Sequence, residues 1–510
     1  MLPCFSLPLT RRRDQRYNQQ EHHQRSRVMR TNTPADNLRF NCPVASRCGG
    51  CQLTHLSYRE QLDLKQRQVE ALLGDLCPVE PIRGMDKPLH YRNKVHAVLA
   101  VDKRGTPISG VYAAGTHRVV PVKRCLIEDP RAGRIIQTIV GMLPKYKLRV
   151  YNEYTHRGFL RHVLIRTGHA TGQIMVVLVA TSLEFPGKKA FVVELLAAHP
   201  EITTVVLNLN QRETSMVLGK KETVLYGNGF MEDELCGKRF RISPQSFYQV
   251  NARQCEVLYR TAIDLAGLSG KETLLDAYCG TGTIGLCASD HSEWLIGVEL
   301  NRDAVRDAKE NAKVNGVTNA VFHCDDAGRF MVRMARDGQV PDVVIMDPPR
   351  AGSDEPFLHS LLTLMPPKVV YVSCNPETLA RDVRYLVAGG YRAEVAVPVD
   401  MFPCTEHVET IVLLTRETTN IQRVKMDFSL ENFDLSKFQT GATYKQIKAY
   451  VKEHTGLNVS SLYIAQIKQK YNIIERNNYN KPKSESKKYP SCPPEKEAAL
   501  REAFDYFRMI

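Results

Sequence analysis

The stretch 276-DAYCGTGTIG-285 decides the fold, because it places three glycines between an apolar strand and the start of a helix. Gly280, Gly282 and Gly285 have the spacing G-x-G-x-x-G, which lets the chain turn sharply and lets a ligand approach the backbone. Glu299 ends the next apolar run, where a carboxylate can bind both hydroxyls of a ribose. This pattern predicts a cofactor site, but it fits a nicotinamide dinucleotide as well as S-adenosylmethionine.

The alternation of strand, turn and helix continues on both sides of the glycines. Five apolar runs are bounded by turns: TLLDAY, WLIGVEL, AVFHCDD, DVVIMD and KVVYVS. Such alternation predicts an α/β fold with a parallel sheet covered by helices. One helix is expected over 301–316, capped by Asn301 and ended by Gly316. The last run, VETIVLLT, is expected to close the sheet as an antiparallel strand.

Charge and composition predict a globular protein that contacts a polyanion. The 510 residues are 43% hydrophobic and carry a net charge of +14. Residues 1–41 hold eight Lys or Arg against three Asp or Glu, and residues 416–510 hold seventeen against eleven. Basic ends favour nucleic acid, although solvated tails explain the same charge. Because no apolar run approaches the ~18 residues of a membrane span and no secretory signal is evident, a cytoplasmic protein without membrane contact is expected.

Changes in composition divide the chain into four parts. We expect a disordered basic tail at 1–40, a β-rich region at 41–235, an α/β domain at 236–416 and a basic helical extension at 417–510. A serine-capped helix is expected from Ser57 to Leu73. Cations and tyrosines among the β-rich strands predict either a phosphate-binding sheet or solvated strand faces: Tyr91, Arg92, Lys94, Arg157, Arg161 and Arg166. Two helical patterns in the extension predict either a helix-turn-helix on nucleic acid or helices packed on the main body.

Four cysteines form a second pattern: Cys42, Cys48, Cys51 and Cys125. A C-x2-C pair with two further thiols supplies the four thiolates that hold an iron–sulfur cluster or a structural zinc ion. The glycine pair between Cys48 and Cys51 favours close wrapping around a bulky cluster. Disulfide bonds are the alternative, and the expected reducing compartment argues against them.

Polar residues at the ends of successive strands form the third pattern. Asp347 opens DPPR, Cys374 lies in SCNP, and Glu409 ends DMFPCTEHVE. The carboxyl ends of strands in such a sheet face the ligand crevice, so these side chains are expected at one edge. Taken singly, Cys374 fits a buried core cysteine and Glu409 a surface carboxylate. Asp325 and Asp326 end the third strand, where solvated turn residues are expected more often than adenine contacts.

These stretches, with SPQSFYQVN at 243–251 and the four cysteines, resemble the RNA uracil-5-methyltransferase family in residues and in order over about 41–416. The resemblance implies a Rossmann-like class I methyltransferase domain beside a β-rich domain that binds RNA and an iron–sulfur cluster. It implies that Cys374 is the nucleophile that adds to uracil C6 and that Glu409 removes the C5 proton. Four residues are implied to line the S-adenosylmethionine site: Gln249, Tyr278, Glu299 and Asp347.

The cysteines also bear on the substrate that the resemblance implies. Family members acting on tRNA generally lack them, so the resemblance implies a [4Fe–4S] cluster on Cys42, Cys48, Cys51 and Cys125 and 5-methyluridine formation in 23S ribosomal RNA by a monomer. Three alternatives stay open. They are a tRNA methyltransferase, a non-catalytic RNA-binding or assembly protein with this fold, and a dinucleotide-dependent oxidoreductase.

Overall fold

The structure is a computed structural model that describes residues 35–212, 216–416, 444–455, 457–470 and 492–506. It forms two compact units, Met1–Thr418 and Thr419–Ile510. Nearly all of the predicted tail at 1–40 lies outside the described residues, and the four-part division of the chain stays a prediction. Within the described ranges, no helix combines the length and the apolar character that crossing a bilayer requires.

The first large sheet contains seven strands: β1 Lys94–Val101, β2 Pro107–Tyr112, β3 Val119–Pro121, β4 Leu160–Thr167, β5 Ile174–Ala180, β6 Ile202–Leu209 and β7 Lys221–Tyr226. Their order is β3-β2-β1-β4-β5-β6-β7, and only β5 and β6 pair in parallel. Helix α1, Tyr58–Leu73, precedes the sheet, and its capping box between Ser57 and Glu60 confirms the predicted serine cap. The capping box satisfies backbone donors that a helix start leaves unpaired.

Two helices in this region were not predicted from the sequence, α2 Pro130–Met142 and α3 Lys188–Ala198. Asp129 caps α2 by accepting a hydrogen bond from the Arg131 backbone N–H at 2.9 Å. The buried face of α2 carries Ile135 and Ile139, which pack in the core beneath the sheet. The parallel β5–β6 pair needs such a crossover helix, which α3 supplies, so the region is mixed α/β rather than mainly β.

A hairpin of β8, Met231–Leu235, and β9, Lys238–Ile242, leads into the second sheet. That sheet contains β10 Thr273–Ala277, β11 Trp294–Glu299, β12 Ala320–Cys324, β13 Val343–Met346, β14 Lys368–Ser373, β15 Tyr391–Val399 and β16 Glu409–Arg416. Their order is β12-β11-β10-β13-β14-β16-β15, with β10 to β14 parallel and β16 antiparallel to both neighbours. The predicted parallel sheet is confirmed, and β16 is antiparallel as predicted, but it lies between β14 and β15, so the edge of the sheet is formed by β15, which was not predicted.

The helices of the second sheet are α4 Ala252–Ala266, α5 Thr283–Ala288, α6 Arg302–Val314, α7 Ala327–Arg336, α8 Glu355–Leu364 and α9 Pro376–Ala388, with a short 3-10 turn at Ser289–His291. Helix α6 confirms the predicted helix, because the Asn301 side chain caps it and Gly316 follows its end with a φ of 65°. The strand order reverses between β10 and β13. In a doubly wound sheet, this reversal opens a ligand crevice at the carboxyl ends of the strands.

The second unit contains α10 Tyr444–Thr455, α11 Ser461–Lys470 and α12 Pro494–Tyr506. The first two confirm the predicted helices, and α12 was not predicted. The three helices share an apolar core of their own: Ile447, Val451, Val459, Ile464, Ile467, Ala499, Leu500, Ala503 and Phe504. RNA contact by this unit stays a prediction.

Candidate active site

A cavity of about 890 Å³ opens at the carboxyl ends of the second sheet. Its wall includes all six residues that the resemblance implies for catalysis or cofactor binding: Gln249, Tyr278, Glu299, Asp347, Cys374 and Glu409. Asp325 and Asp326, expected more often as solvated turn residues, also line it. One continuous cavity therefore contains the glycine turn and the cysteine.

The glycine turn is fixed by two carboxylates. Glu299 Oε2 accepts a hydrogen bond from the Gly280 N–H at 3.1 Å, and its Oε1 accepts one from the Asn301 N–H at 2.7 Å. At Gly285 the backbone N–H donates to Asp276 Oδ2 at 2.8 Å, and a Cβ there would lie only 2.7 Å from the same oxygen. The third glycine thus allows the start of α5 to pack closely on strand β10.

Tyr278 forms a rigid aromatic wall beside the turn. Its φ of 63° is left-handed, a conformation that costs a residue with a side chain about 1–3 kcal/mol and tends to persist at functional sites. The ring packs on Phe357 with 5.3 Å between centroids, and the hydroxyl lies 2.9 Å from Ser353 Oγ. Burial raises the pKa of the Tyr278 hydroxyl, so it stays neutral.

Gln249 lies in a loop that the first sheet holds in place. Arg166 on β4 is buried and donates to the Ser246 carbonyl, while Asn93 Nδ2 donates to the Gln249 carbonyl at 3.0 Å. Arg161 is also buried, and it donates to the carbonyls of residues 210 and 212. Both guanidinium groups are buried and bonded within the protein, so at these two positions the structure supports neither the phosphate contact nor the solvated strand face that the sequence left open. Arg92 lines the active cavity.

The strand register brings the catalytic candidates together. Ser373 on β14 pairs with Thr410 on β16, so one step further along the antiparallel pair Cys374 stands opposite Glu409. Met346 on β13 lies two strands away from β16, and Asp347 follows it directly at the same edge. The three side chains converge because each one ends or begins a strand of the same sheet.

Burial and mutual repulsion set the charges of this group. Burial raises the pKa of Glu409, and the nearby Asp347 carboxylate raises it further, against the opposing effect of Arg350. Burial also raises the pKa of Asp347. For Cys374, burial and then the charges of Glu409 and Asp347 raise the pKa to about 11, again opposed by Arg350. The buried Glu409, the half-buried Asp347 and the thiol therefore hold protons more tightly than they would in water.

Sequence reasoning missed two further residues of the cavity wall, Arg350 and His407. Arg350 Nη2 lies 2.7 Å from His407 Nδ1, and the Asn375 side chain donates to the Arg350 carbonyl at 3.1 Å. Burial, followed by the charge of Arg350, lowers the pKa of His407. The sequence did contain a clue to both residues. Arg350 ends the motif DPPR, which Asp347 opens, and His407 lies two residues before Glu409.

Cys374 also lies at the beginning of a helix. Asn375 is the N-cap of α9, and its side chain accepts a hydrogen bond from the Glu377 N–H at 3.1 Å. The positive end of a helix favours a thiolate, which counteracts the effect of burial. The charge of Arg350 acts in the same direction, although burial dominates and the pKa of Cys374 stays raised.

The four cysteines of the second pattern surround a separate small cavity of about 40 Å³, with Cys404 in the same wall. Burial and the neighbouring cysteines raise the pKa of Cys51 to about 11, and burial raises that of Cys125 to about 12. Among the residues described, no three potential ligands converge with metal-binding geometry, and every described cysteine is a free thiol. The four thiols line one cavity and have the donor chemistry of an iron–sulfur site, but in this structure the described residues do not converge as a metal-binding group.

Comparison with known proteins identifies the family. A family model described as tRNA (Uracil-5-)-methyltransferase matches residues 216–417. An uncharacterized RNA methyltransferase of Bacillus cereus is 41% identical over 380 residues, which cover 74% of this chain and 82% of that protein. One of Listeria innocua is 42% identical over 385 residues, covering 75% and 84%.

Among solved structures, the Pyrococcus abyssi tRNA (uracil-54, C5)-methyltransferase in complex with S-adenosyl-L-homocysteine has a TM-score of 0.59 and 28% identity. The match covers 72% of this chain and 86% of that one. The protein is thus an enzyme that uses S-adenosylmethionine to methylate RNA, which argues against the oxidoreductase and the non-catalytic binding protein. The matched family model, the relatives and the shared fold show that the chain belongs to the RNA uracil-5-methyltransferase family.

Proposed function

We propose that the protein forms 5-methyluridine in large-subunit ribosomal RNA, with Cys374 as the nucleophile and Glu409 as the base. The observation that carries this proposal is the pairing of β14 with β16, which places Cys374 opposite Glu409 in the cavity that contains the glycine turn. Opposite residues of an antiparallel pair present their side chains on the same face of the sheet, so a nucleophile and a base at these positions can reach the neighbouring atoms C6 and C5 of one uracil.

Uracil C5 is too weak a nucleophile to accept a methyl group unaided, which explains the need for a thiolate. Cys374 Sγ bonds to uracil C6, and the electrons of the C5–C6 double bond move to the C4 carbonyl as an enolate. C5 of the enolate then takes the methyl group. S-adenosylmethionine supplies that group when bound and leaves as S-adenosylhomocysteine.

Proton removal completes the reaction. Glu409 takes the proton from C5, the double bond re-forms, and the bond between C6 and Cys374 Sγ breaks to release the thiolate. Arg350 and the N-terminus of α9 stabilise the thiolate before addition and after elimination. Because its target atoms are stacked in a folded RNA, the uridine must leave its stack to enter the cavity.

The cofactor end of the cavity is assigned in the same way. We place the ribose on Glu299, with Gln249, Tyr278 and Asp347 lining the rest of the S-adenosylmethionine site. Support comes from the Glu299 carboxylate, which the backbone of the glycine turn already orients. The carboxylate can accept hydrogen bonds from the paired hydroxyls of a ribose.

Ribosomal RNA is favoured as the substrate because the four thiols surround one cavity, as the cluster-containing type requires. The alternative substrate is tRNA, which the matched family model and the Pyrococcus abyssi enzyme carry in their names. The monomeric state and the cytoplasmic location stay predictions.

A [4Fe–4S] cluster is proposed on Cys42, Cys48, Cys51 and Cys125. These four cysteines would hold the cluster as thiolates bonded to its iron atoms, and binding would release the thiol protons. Protein purified without oxygen should be brown and contain iron and acid-labile sulfide in equal amounts. Cys125→Ser should lose both, while Cys324→Ser, at an exposed thiol, should retain them. A colourless protein with stoichiometric zinc would contradict the cluster.

The proposed function is tested by trapping the reaction on large-subunit ribosomal RNA that contains 5-fluorouridine. Fluorine at C5 cannot leave as a proton, so the complex should stop after methyl transfer with Cys374 bonded to C6. Peptide and nucleotide mapping would then identify the thiol and the uridine together. A parallel reaction with tRNA separates the two substrates. If neither RNA forms an adduct although both bind, the nucleophilic mechanism is wrong.

A further inference from the structure

The loop between β15 and β16, residues 400–408, carries one side of the active cavity. Phe402, Thr405 and His407 line the cavity from this loop, and Glu409 follows it directly. The loop has no strand pairing of its own at 401–408. Some other set of contacts must therefore fix its path and, with it, the start of β16.

Five consecutive carbonyl groups of the loop accept hydrogen bonds from donors elsewhere in the chain. The donors are Gln254 Nε2 to Asp400 at 3.1 Å, Asn251 Nδ2 to Met401 at 2.9 Å, Lys65 Nζ to Phe402 at 3.1 Å, Tyr91 OH to Pro403 at 3.0 Å, and the N–H groups of Gln52 and Leu53 to Cys404 at 3.1 and 2.9 Å. Buried carbonyls normally find partners in secondary structure. Here side chains and a neighbouring loop supply them, so the loop adopts one path.

A buried ion pair lies at the beginning of the loop. Lys65 Nζ on α1 is 2.6 Å from Asp400 Oδ1, and the two side chains are 1% and 0% exposed. The other oxygen, Asp400 Oδ2, accepts from Tyr58 OH at 2.8 Å, and that hydroxyl in turn accepts from the Met85 N–H at 2.7 Å. Each polar atom of the pair thus has a hydrogen-bond partner, and the Lys65 ammonium also donates to the Phe402 carbonyl.

Stability alone does not explain such a pair. The free-energy cost of removing two charges from water offsets most of their attraction. Apolar residues of the same volume often stabilise a core equally well or better. An ion pair differs from apolar packing because it demands one geometry. In this protein the geometry that it fixes is the distance between α1 and the loop that leads to Glu409.

Cys374 is held by a different set of contacts. Ser373 Oγ accepts from the Asn375 N–H at 3.1 Å, and Asn375 Nδ2 donates to the Arg350 carbonyl at 3.1 Å. None of these groups belongs to the loop or to α1. The Arg350 guanidinium does contact His407 of the loop, but the contacts that hold the backbone around Cys374 do not pass through the loop, so a change at the ion pair can displace Glu409 while the nucleophile keeps its place.

We propose that Lys65, Asp400 and Tyr58 are positioning residues that set Glu409 for removal of the C5 proton. This inference rests on the proposed function, in which Glu409 acts after Cys374 has bonded to C6. It predicts a split between the two halves of the reaction. Addition and methyl transfer continue when the ion pair is lost, while proton removal slows.

The test compares Lys65→Met/Asp400→Asn with the parent protein. The double variant removes both charges at nearly constant volume, so no unpaired charge stays buried. With ordinary RNA, turnover should fall on the order of 10²-fold, which is the loss expected when a catalytic group is displaced by about 1 Å. The covalent complex between Cys374 and the RNA should then accumulate. With 5-fluorouridine RNA, which stops before proton removal, adduct formation should keep the parent rate.

A matched control and a milder variant complete the design. Arg59→Met breaks an exposed ion pair with Asp63 on the same helix, at 3.0 Å, and should leave both rates unchanged. Tyr58→Phe removes one hydroxyl and serves as the fallback if the double variant does not fold. It should also slow turnover with ordinary RNA while leaving the rate of adduct formation unchanged. The urea midpoint of unfolding is measured for each protein.

The possible outcomes are distinct. Parent-like turnover in a folded variant would overturn the positioning role, and so would an equal loss of turnover and adduct formation, which indicates damage to the whole cavity. Failure of the parent protein itself to form a Cys374 adduct would instead contradict the proposed function.

Discussion

Replacing Cys374 with serine is expected to lower methylation turnover on the order of 10⁶-fold, the size of the loss when a catalytic nucleophile is removed from a hydrolase. A serine hydroxyl has nearly the same volume but ionises far less readily than a thiol and adds poorly to a conjugated double bond. Because Cys374 is only half-buried in the cavity wall, the exchange should leave the fold and the RNA dissociation constant unchanged. Single-turnover methyl transfer and RNA binding at two salt concentrations measure these effects.

The control for this variant is Cys324→Ser, which changes an exposed thiol of the same domain. It should keep both turnover and RNA affinity. If Cys374→Ser turns over close to the parent rate, another thiol must add to uracil. Cys279, which lines the same cavity, would then be the next residue to replace.

Much of the second sheet could be predicted from the sequence because parallel strands buried on both faces appear as continuous apolar runs. The runs around Val344 and Val370 are fully buried in the structure. The glycine spacing located the end of the cavity to which we assign the cofactor, since such turns follow the first strand of the sheet. Cys374 and Glu409 could be placed at one edge because each borders a strand of the same sheet.

Long-range polar contacts could not be predicted. Lys65 and Asp400 are 335 positions apart, and nothing in the local pattern of either residue indicates that they form a buried pair. Arg166 shows the same limit, because a sequence reveals a cation but not the carbonyls that surround it. Helix α12 was missed although it has 13 residues and begins at Pro494, a residue that is well tolerated in the first turn of a helix.

Replacing Glu409 with glutamine is expected to stop the reaction after methyl transfer. Glutamine has nearly the same shape but cannot accept a proton, so elimination should slow by about 10²–10⁴-fold, the usual contribution of a general base. The RNA should then stay bonded to Cys374 although its uridine carries the new methyl group. Denaturing gels of single-turnover reactions with ordinary RNA would reveal the complex, and mass spectrometry would locate the methyl group.

Glu406→Gln is the matched control, since Glu406 is exposed on the same loop. This variant should release methylated RNA at the parent rate. If Glu409→Gln also releases product at that rate, the base lies elsewhere in the cavity. Asp347 would then be the next candidate for the base, because it is the carboxylate whose charge acts on the pKa of Glu409.

The pH dependence of elimination provides an independent test of the same base. Burial and the charge of Asp347 raise the pKa of Glu409, while Arg350 opposes them. Only the ionised carboxylate can take the C5 proton, so the elimination rate of the parent enzyme should rise with pH and level off above that raised pKa. Glu409→Gln should show no such rise, because its side chain does not titrate. An elimination rate that falls with increasing pH would require an acid, not a base, in this step, and would exclude Glu409 from the role.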